Sequence, residues 1–555
     1  MYYLRIKTQK VQSFIFKIPR LKTMLGANSL LGEFFVKELP NLRKEYPISK
    51  QWDEFSNANQ ISEKLSAEYK WQKDDICDNF QKGVICSAGG HFETFFDDKE
   101  KLDCFIKKVK MKAKEKIPGV KLSFYIKDYE KEICNMTYKE FCSNGQEITD
   151  IASLIVDSNY HIDNPFFSLA GDDGENPEIF VRNGFKETKT DSVVTKLIKK
   201  HGDKFSDYKT NDTLCDLLKE IKEITNKDFP DNLGKKPSNT KEKREENEDN
   251  DKRYLADASL IPSNNKIAII AIDGNAMGER FNKKRKELQD MPVFDALVEF
   301  EKFWFKQREI FRKALTGTIQ NYDFSDYKDF LPFNILMLGG DDLLMVTVPE
   351  IAIPFTTQFC KEIEAITKDK DKLSISAGIA IIKHSYPFVH GHELAESLLS
   401  SAKIKSRAWD KDKNKLTYRN AIDWHIHFTS GITDIDTIRR SSYYLQYSEK
   451  TEILTQRPCL IEEANEIWKK SIDLYKDINN KEDNSIGRNK YKRLRTFLKN
   501  GEDYVNLYSK LLDINDNKII DLQYEKLIPS NKIIIKSNNC LDIIELMDMH
   551  KRSEK

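Results

Sequence analysis

The sequence predicts an α+β protein with two copies of a strand–helix–hairpin module, a helical connector between them and a helical carboxy-terminal domain. Three observations predict it. Near the amino terminus, and again after residue 264, a strand-like apolar run leads through an amphipathic stretch to a tight hairpin. Between the copies lies a helix-leaning region, with SVVTKLIKKHG and LCDLLKEIKEI, and a charged stretch over 230–253 too poor in apolar residues to pack a core. Past position 440, LIEEANEIWKKSIDLYKDI and RLRTFLKNGEDYVNLYSKLLD carry apolar stripes at helical spacing. The expected divisions are 1–150, 151–263 with a loop over 230–253, 264–435 and 436–555.

The second copy carries the chemistry. KIAIIAIDGNAMGERF closes an apolar run on Asp273 and opens a turn at Gly274. Further on, Gly339-Gly340-Asp341-Asp342 is flanked by NILML and LLMVTV, which puts two acids and two glycines at the tip of a hairpin. Adjacent carboxylates at a strand turn cost several kcal/mol to bury unless a cation compensates them, and the glycines leave room for a phosphate beside the backbone. Strand, acid, helix, then a hairpin with paired acids is the layout of a palm domain, in which two metal ions clamp the oxygens of a phosphoryl transfer.

Asp and Gly are also ordinary turn formers, so a bare GDD decides little. The chain holds a control in FFSLAGDDGENPEIF, where Gly171, Asp172, Asp173 and Gly174 run into Pro177 with no returning strand, and that copy reads as a loop. The later copy differs in having strands on both flanks and an acid upstream on a third. After it come PFTTQFCKEIEAI, the strand SISAGIAII and the helix HELAESLLSSAKIKSRAW. Lys403, after the small Ala402 on that helix, is either one more solvated lysine or a point charge within reach of a triphosphate.

The first copy repeats this order in MYYLRIKTQKVQSFIFK, RLKTMLGANSLLGEFFVKEL and VICSAGGHFETFF. Its hairpin tip, however, is Gly89-Gly90-His91-Phe92, and a neutral imidazole and a phenyl ring cannot replace anionic oxygen ligands for magnesium. Residues 1–150 therefore read as a degenerate module that binds without catalysing. Gly89 and Gly90 keep the close backbone approach, and His91 is either a base or phosphate contact or a half-buried hairpin residue.

These motifs resemble the large polymerase/cyclase-like subunit of type III CRISPR effector complexes, closest to the type III-B form, whose palm is similar to that of GGDEF-type nucleotide cyclases. The resemblance rests on IAIIAIDGNAMG, LMLGGDDLLMVTV, SISAGIAII with YPFVHGHELAESLLSSAK, and the amino-terminal segment. It implies two ferredoxin-like palm domains, the second a nucleotidyltransferase that makes cyclic oligoadenylate from ATP when target RNA is bound. Asp273, Asp341 and Asp342 would be catalytic ligands of Mg2+ or Mn2+, and Gly274, Gly339, Gly340 and Lys403 nucleotide contacts. Ser29, in LGANSLLGE, would face the nucleotide with Gly89, Gly90 and His91. The implied partners are the other effector subunits, with guide RNA and target RNA, and the helical carboxy-terminal domain would dock on small subunits.

Departures from the family accompany the likeness. Many relatives carry a zinc-binding insert between the palms, but DNPFFSLAGDDGENPEIFVRNGF has no cysteine, and the nine cysteines of the chain form no closely spaced pair, so no zinc is expected. There is no adjacent His-Asp pair, and DNA cleavage of the HD-nuclease kind is not expected. His390 with His392, and His425 with His427, read as structural or surface residues.

The net charge of +1 offers no global basic surplus for nucleic acid. Local patches remain near positions 110 and 490, each also readable as the solvated face of a helix. No apolar run approaches the roughly 20 residues that span a bilayer, so no membrane partner and a cytoplasmic location are expected.

The expected mechanism has a hydroxyl of the second nucleotide attacking the α-phosphorus of ATP and expelling pyrophosphate. No general base is evident near the hairpin, so positioning and charge neutralisation carry the acceleration. The aromatic helix FDALVEFEKFWFKQREIF leaves room for a related adenylylated product with an unusual acceptor. The competing readings are a stand-alone GGDEF-like cyclase making a cyclic dinucleotide and a non-catalytic scaffold.

Overall fold

The computed structural model describes residues 1–9, 11–15, 21–47, 83–88, 90–128, 136–143, 149–150, 253–254, 266–322, 330–367, 372–410, 414–427, 434–446, 450–479, 488–512, 525–529, 534–537 and 539–550. The second GDD at 171–173, the connector apart from 253–254, and nearly all of the charged stretch lie outside them. The chain divides into two compact units. The described residues of the first fall within Met1–Asp216 and Ala276–Glu309, those of the second within Pro237–Asn275 and Ile310–Lys555.

The first unit is built on β1 (Tyr2–Gln9), followed by α1 (Val11–Ile15), α2 (Leu21–Glu33), a π-helical turn over Phe34–Glu38 and α3 (Leu39–Lys44). Then come β2 (Val84–Ala88), β3 (His91–Phe96), α4 (Lys99–Lys116), β4 (Lys121–Asp128), α5 (Tyr138–Ser143) and β5 (Thr149–Asp150). The sheet order is β2-β3-β1-β4-β5, antiparallel throughout. Alternation along β1 sends Leu4 and Ile6 into a core with Leu30, Phe34, Phe92, Phe96 and Phe105. Asp98 caps α4 by accepting from the Glu100 amide at 2.9 Å.

The opposite face of this sheet presents Tyr3 and Phe95. It is covered by Leu288, which caps the end of α6 (Met277–Glu287), and by the leading part of α7 (Val293–Asn321), through Phe294, Leu297 and Phe305. This corrects the expectation that 264–435 is one self-contained domain, since residues 276–309 pack within the first unit. The reason is apolar area: each large side chain buried contributes roughly 1.5–3 kcal/mol, and the aromatic face of the first sheet needs that cover.

The second unit contains β6 (Arg253–Tyr254) paired with β8 (Phe330–Leu331), and a six-stranded sheet ordered β17-β14-β11-β7-β10-β9. Its members are β7 (Lys266–Gly274), β9 (Phe333–Leu338), β10 (Asp342–Thr347), β11 (Ile375–Lys383), β14 (Ala421–Ile426) and β17 (Cys459–Leu460). Between them run α8 (Pro349–Ile366), α9 (Phe388–Ser406) and a separate ribbon, β12 (Arg407–Asp410) with β13 (Lys415–Tyr418). Residues 267–272 of β7 are all buried, which explains why the strand reads as an unbroken apolar run rather than an alternating one. A Cβ on Gly378 of β11 would lie 2.1 Å from the carbonyl oxygen of Ala395, so the glycine is what admits α9 so close to the sheet.

Both sheets place the first strand of the module at the centre, with the hairpin on one side and the following strand on the other: β2-β3-β1-β4 and β9-β10-β7-β11.

The carboxy-terminal part, expected to be a helical domain, also contains strands. With α10 (Ile435–Ser442), α11 (Ile461–Asn479), α12 (Arg488–Leu498), α13 (Glu502–Leu512) and α14 (Cys540–Met547) it has a four-stranded sheet. That sheet joins β15 (Tyr444–Gln446), β16 (Lys450–Ile453), β18 (Glu525–Pro529) and β19 (Ile534–Ser537), in the order β15-β16-β19-β18. Strands of three to five residues carry too little period to be read locally, and the β16–β19 pairing joins segments far apart in the chain. Among the described residues no helix is long and apolar enough to cross a membrane.

Candidate active site at the strand ends

The strand ends of the second sheet bring the predicted acids together. Asp342, first residue of β10, is the cross-strand partner of Asp273, which faces Ser376 of β11 on its other side. The hairpin tip is tied to β7 by the Gly274 amide, which donates to the Asp341 carbonyl at 2.9 Å, and it closes on itself through the Gly339 amide donating to the Asp342 carbonyl at 2.9 Å. Backbone bonds therefore hold Asp273, Asp341, Asp342, Gly274 and Gly339 at one end of the sheet, with Gly340 within the same tip.

Gly339 has a more local reason than the one its sequence suggested. A Cβ there would lie 1.6 Å from Oδ1 of Asp342, so the glycine makes room first for the neighbouring carboxylate.

Asn275 is a site residue that sequence reasoning missed. Its amide donates to the Ser374 carbonyl at 2.8 Å. Its side-chain Nδ2 donates to Ser374 Oγ at 3.1 Å and to the Arg419 carbonyl at 3.2 Å, and Ser376 Oγ donates to its Oδ1 at 2.7 Å. A buried amide with its donors and acceptor engaged fixes the turn that follows Asp273. The available signal was its place directly after Asp-Gly, which reads as ordinary turn chemistry.

Lys403 does reach the site, and its ammonium donates to Oδ2 of Asp273. Glu396, seven residues earlier on α9 and so on the same helical face, was also missed. Its carboxyl pKa is raised by partial burial and by the charge of Asp273. Behind it stands buried His392, whose Nε2 is 3.5 Å from Glu396 Oε1 and whose pKa burial lowers to about 4, keeping the ring neutral at pH 7.

Desolvation and the repulsion of neighbouring acids raise Asp341 to about 7 and Asp342 to about 6; for both, Asp273 is the strongest repelling neighbour. Carboxylates under mutual repulsion at the mouth of a sheet have the chemistry of ligands for a hard divalent cation. The strand ends converge, but the side chains are arranged otherwise than expected. Among the described residues no three His, Cys, Asp or Glu side chains form a group that could hold one ion. Asp273 is instead engaged by the Lys403 ammonium.

In the first unit, His91 opens β3 opposite Lys7 of β1, and Phe92 pairs with Ile6. No carboxylate stands at these positions. The His91 side chain is exposed, yet partial desolvation and then the Lys7 charge lower its pKa. Gly90 adopts φ +76, a left-handed conformation that favours glycine, and its carbonyl accepts from the Thr8 amide at 2.9 Å. Ser29 lies half-buried on α2. Gly89 lies outside the described residues.

One family model matches the segment that carries these acids. Residues 266–417 match the family described as Cas10/Cmr2, second palm domain, and over that segment the chain is Cas10-like. Among solved structures it is similar to a Csm1-Csm4 cassette in complex with cA4, with 11% identity, TM-score 0.47, and 99% of this chain and 70% of that chain covered. The same cassette in complex with pppApApA gives 11% identity, TM-score 0.47, and 99% and 69% coverage. Csm1 in T. onnurineus gives 13% identity, TM-score 0.41, and 92% and 64% coverage. No curated protein matches.

Proposed function

We propose that this chain is the signal-nucleotide synthase of a type III CRISPR effector complex, transferring adenylyl groups from ATP to build cyclic oligoadenylate or a related adenylylated messenger. The observation that carries this reading is the pairing of Asp273 with Asp342 across adjacent strands, with Asp341 and Lys403 at the same sheet end, in the segment that matches the palm family. Asp273, Asp341 and Asp342 would hold Mg2+ or Mn2+, which when bound neutralises developing charge on the transferring phosphoryl group.

The remaining work belongs to the chain itself. Lys403 exchanges the Asp273 carboxylate for a phosphate oxygen of ATP, and the glycine-rich tip at Gly339 and Gly340 leaves the backbone open to the nucleotide. Asn275 keeps the Asp273 turn rigid, so that little reorganisation accompanies the reaction. In the first unit Ser29, Gly89, Gly90 and His91 serve nucleotide binding without acids for catalysis. Sibling effector subunits, guide RNA and target RNA are the partners this reading assigns.

The test is incubation of the full chain, with its sibling subunits and target RNA, with ATP and Mg2+ or Mn2+, followed by pyrophosphate release and mass spectrometry of the products. Adenylyl-containing products are expected; ATP left intact with either metal refutes the reading. Two variants sharpen it. Lys403→Ala is expected to lower turnover roughly 10²-fold, as loss of one preorganised charge contact does. Gly339→Ala, which forces the Asp342 carboxylate aside, is expected to lower turnover at least about tenfold through misplacement alone, with an unchanged circular dichroism spectrum.

A further inference from the structure

The start of β11 is gripped from both sides by asparagines. β11 lies between β7 and β14, and its Ser376 is the cross-strand partner of Asp273 on one neighbour and of Ala421 on the other. Asn275, two residues after Asp273, holds Ser374 and Ser376 from the β7 side through the bonds given above. Asn420, one residue before β14, holds the residue between them, its Oδ1 accepting from the Ile375 amide at 2.8 Å.

Asn420 is anchored in turn. Its Nδ2 donates to Glu364 Oε1 of α8 at 2.9 Å, and its carbonyl accepts from the Ile461 amide at the start of α11 at 3.2 Å. The peptide unit that joins Arg419 to Asn420 offers its carbonyl to Asn275 Nδ2 at 3.2 Å, so the two asparagines are linked directly. Both are closed to water, Asn275 at 4% and Asn420 at 5% exposure. A buried amide whose donor and acceptor ends are both engaged has little freedom to reorient, and a network of such groups holds the backbone it bonds.

We propose that Asn420 is a positioning residue for the acid site: with Asn275 it clamps the first residues of β11, and through them the strand end that carries Asp273, and it ties that clamp to α8 and α11. A group that binds a cation through several carboxylates has to keep their spacing to within about half an ångström, and groups behind the ligands supply that precision. A merely structural asparagine would act on global stability alone. Asn420 stands instead beside the register position that pairs, through Ser376, with Asp273. The consequence for turnover rests on the synthase reading above, whereas the effect on backbone protection and cation affinity does not.

The experiment compares the full-length wild type with Asn420→Ala by amide hydrogen exchange over residues 373–377, by Mn2+ titration followed by electron paramagnetic resonance, and by turnover in the assay above. Asn420→Ala is expected to speed exchange in that segment and to weaken Mn2+ binding about tenfold, with turnover falling by a similar factor. Asn420→Asp keeps the acceptor for Ile375 but faces Glu364 with a second carboxylate, so it should weaken Mn2+ binding by a smaller factor. Adding Glu364→Gln to it re-forms that bond with its polarity reversed and should restore wild-type affinity. Wild-type exchange and Mn2+ affinity in Asn420→Ala overturn the proposal, even where its thermal midpoint falls, since the asparagine would then serve stability only. Should Asn420→Ala fail to fold, wild-type Mn2+ affinity in Asn420→Asp overturns it equally. Faster exchange and weaker Mn2+ binding in a chain that makes no product from ATP would uphold the clamp and refute the synthase reading.

Discussion

If the proposed synthase reading holds, replacing Asp341 and Asp342 together by alanine is expected to abolish nucleotide turnover, by roughly 10³-fold or more, because it removes the charge that would gather a cation at the reacting phosphate. Stability should move the other way. Burial and repulsion raise these carboxyls to about 7 and about 6, above the ordinary aspartate value of about 4. A raised carboxyl pKa means that the folded state binds more protons than the unfolded state between those values. The stabilising contribution is therefore complete below about pH 4 and is lost as pH rises through about 6 and 7. At pH 8 the folded protein carries repelling carboxylates that the unfolded chain solvates freely. The double variant, or its Asn counterpart, should then melt at or above wild type at pH 8 and lose that advantage at pH 5. The measurements are product formation and thermal midpoint at the two pH values. Full activity in the double variant, or a lower midpoint at pH 8 than at pH 5 relative to wild type, would contradict the assignment.

The second large effect is structural. Arg457 is buried between two acids, with Nε 2.9 Å from Asp542 Oδ1 and one terminal nitrogen 3.3 Å from Glu545 Oε2. Its other terminal nitrogen donates to the Trp424 carbonyl at 3.1 Å, and its guanidinium lies 4.8 Å from the centroid of the Tyr443 ring. Arg495 reaches Glu545 Oε1 at 3.1 Å, and Thr455 Oγ1 donates to Asp542 at 2.8 Å. The cluster ties β14 of the six-stranded sheet to α14 at the far end of the chain. Arg457→Met keeps much of the volume but leaves the Asp542 carboxylate buried without its cation, and burial already raises the pKa of that group. Breaking a buried ion pair from one side costs about 3–5 kcal/mol. Denaturant unfolding followed by tryptophan fluorescence should show a loss of that size, partly recovered in the Arg457→Met, Asp542→Asn double variant. A loss below about 1 kcal/mol would mean that the acids are protonated in the native state and the pair contributes little.

Much of the acid site is legible in the amino-acid sequence. The unbroken apolar run ending at Asp273, the two strands flanking Gly339 to Asp342, and the helix that carries Lys403 are local patterns, and each is present as an element of the structure. Asn275 and Glu396 escape such a reading for opposite reasons. The first looks like turn filler and the second like one of many surface acids on a helix, and only their distant partners, Ser374 and Arg419 for one and Asp273 for the other, distinguish them. The carboxy-terminal sheet escapes it because its strands are short and pair across long stretches of chain.

By itself the sequence determined where each acid falls relative to its strand, because apolar period and turn chemistry act over a few residues. Tertiary structure decided what those acids meet. It set Lys403 against Asp273, used Gly339 to seat Asp342, and assigned the helices after residue 276 to the aromatic face of the first sheet. Those outcomes depend on which distant surfaces bury one another and which opposite charges come within reach, and neither is encoded in any short window of residues.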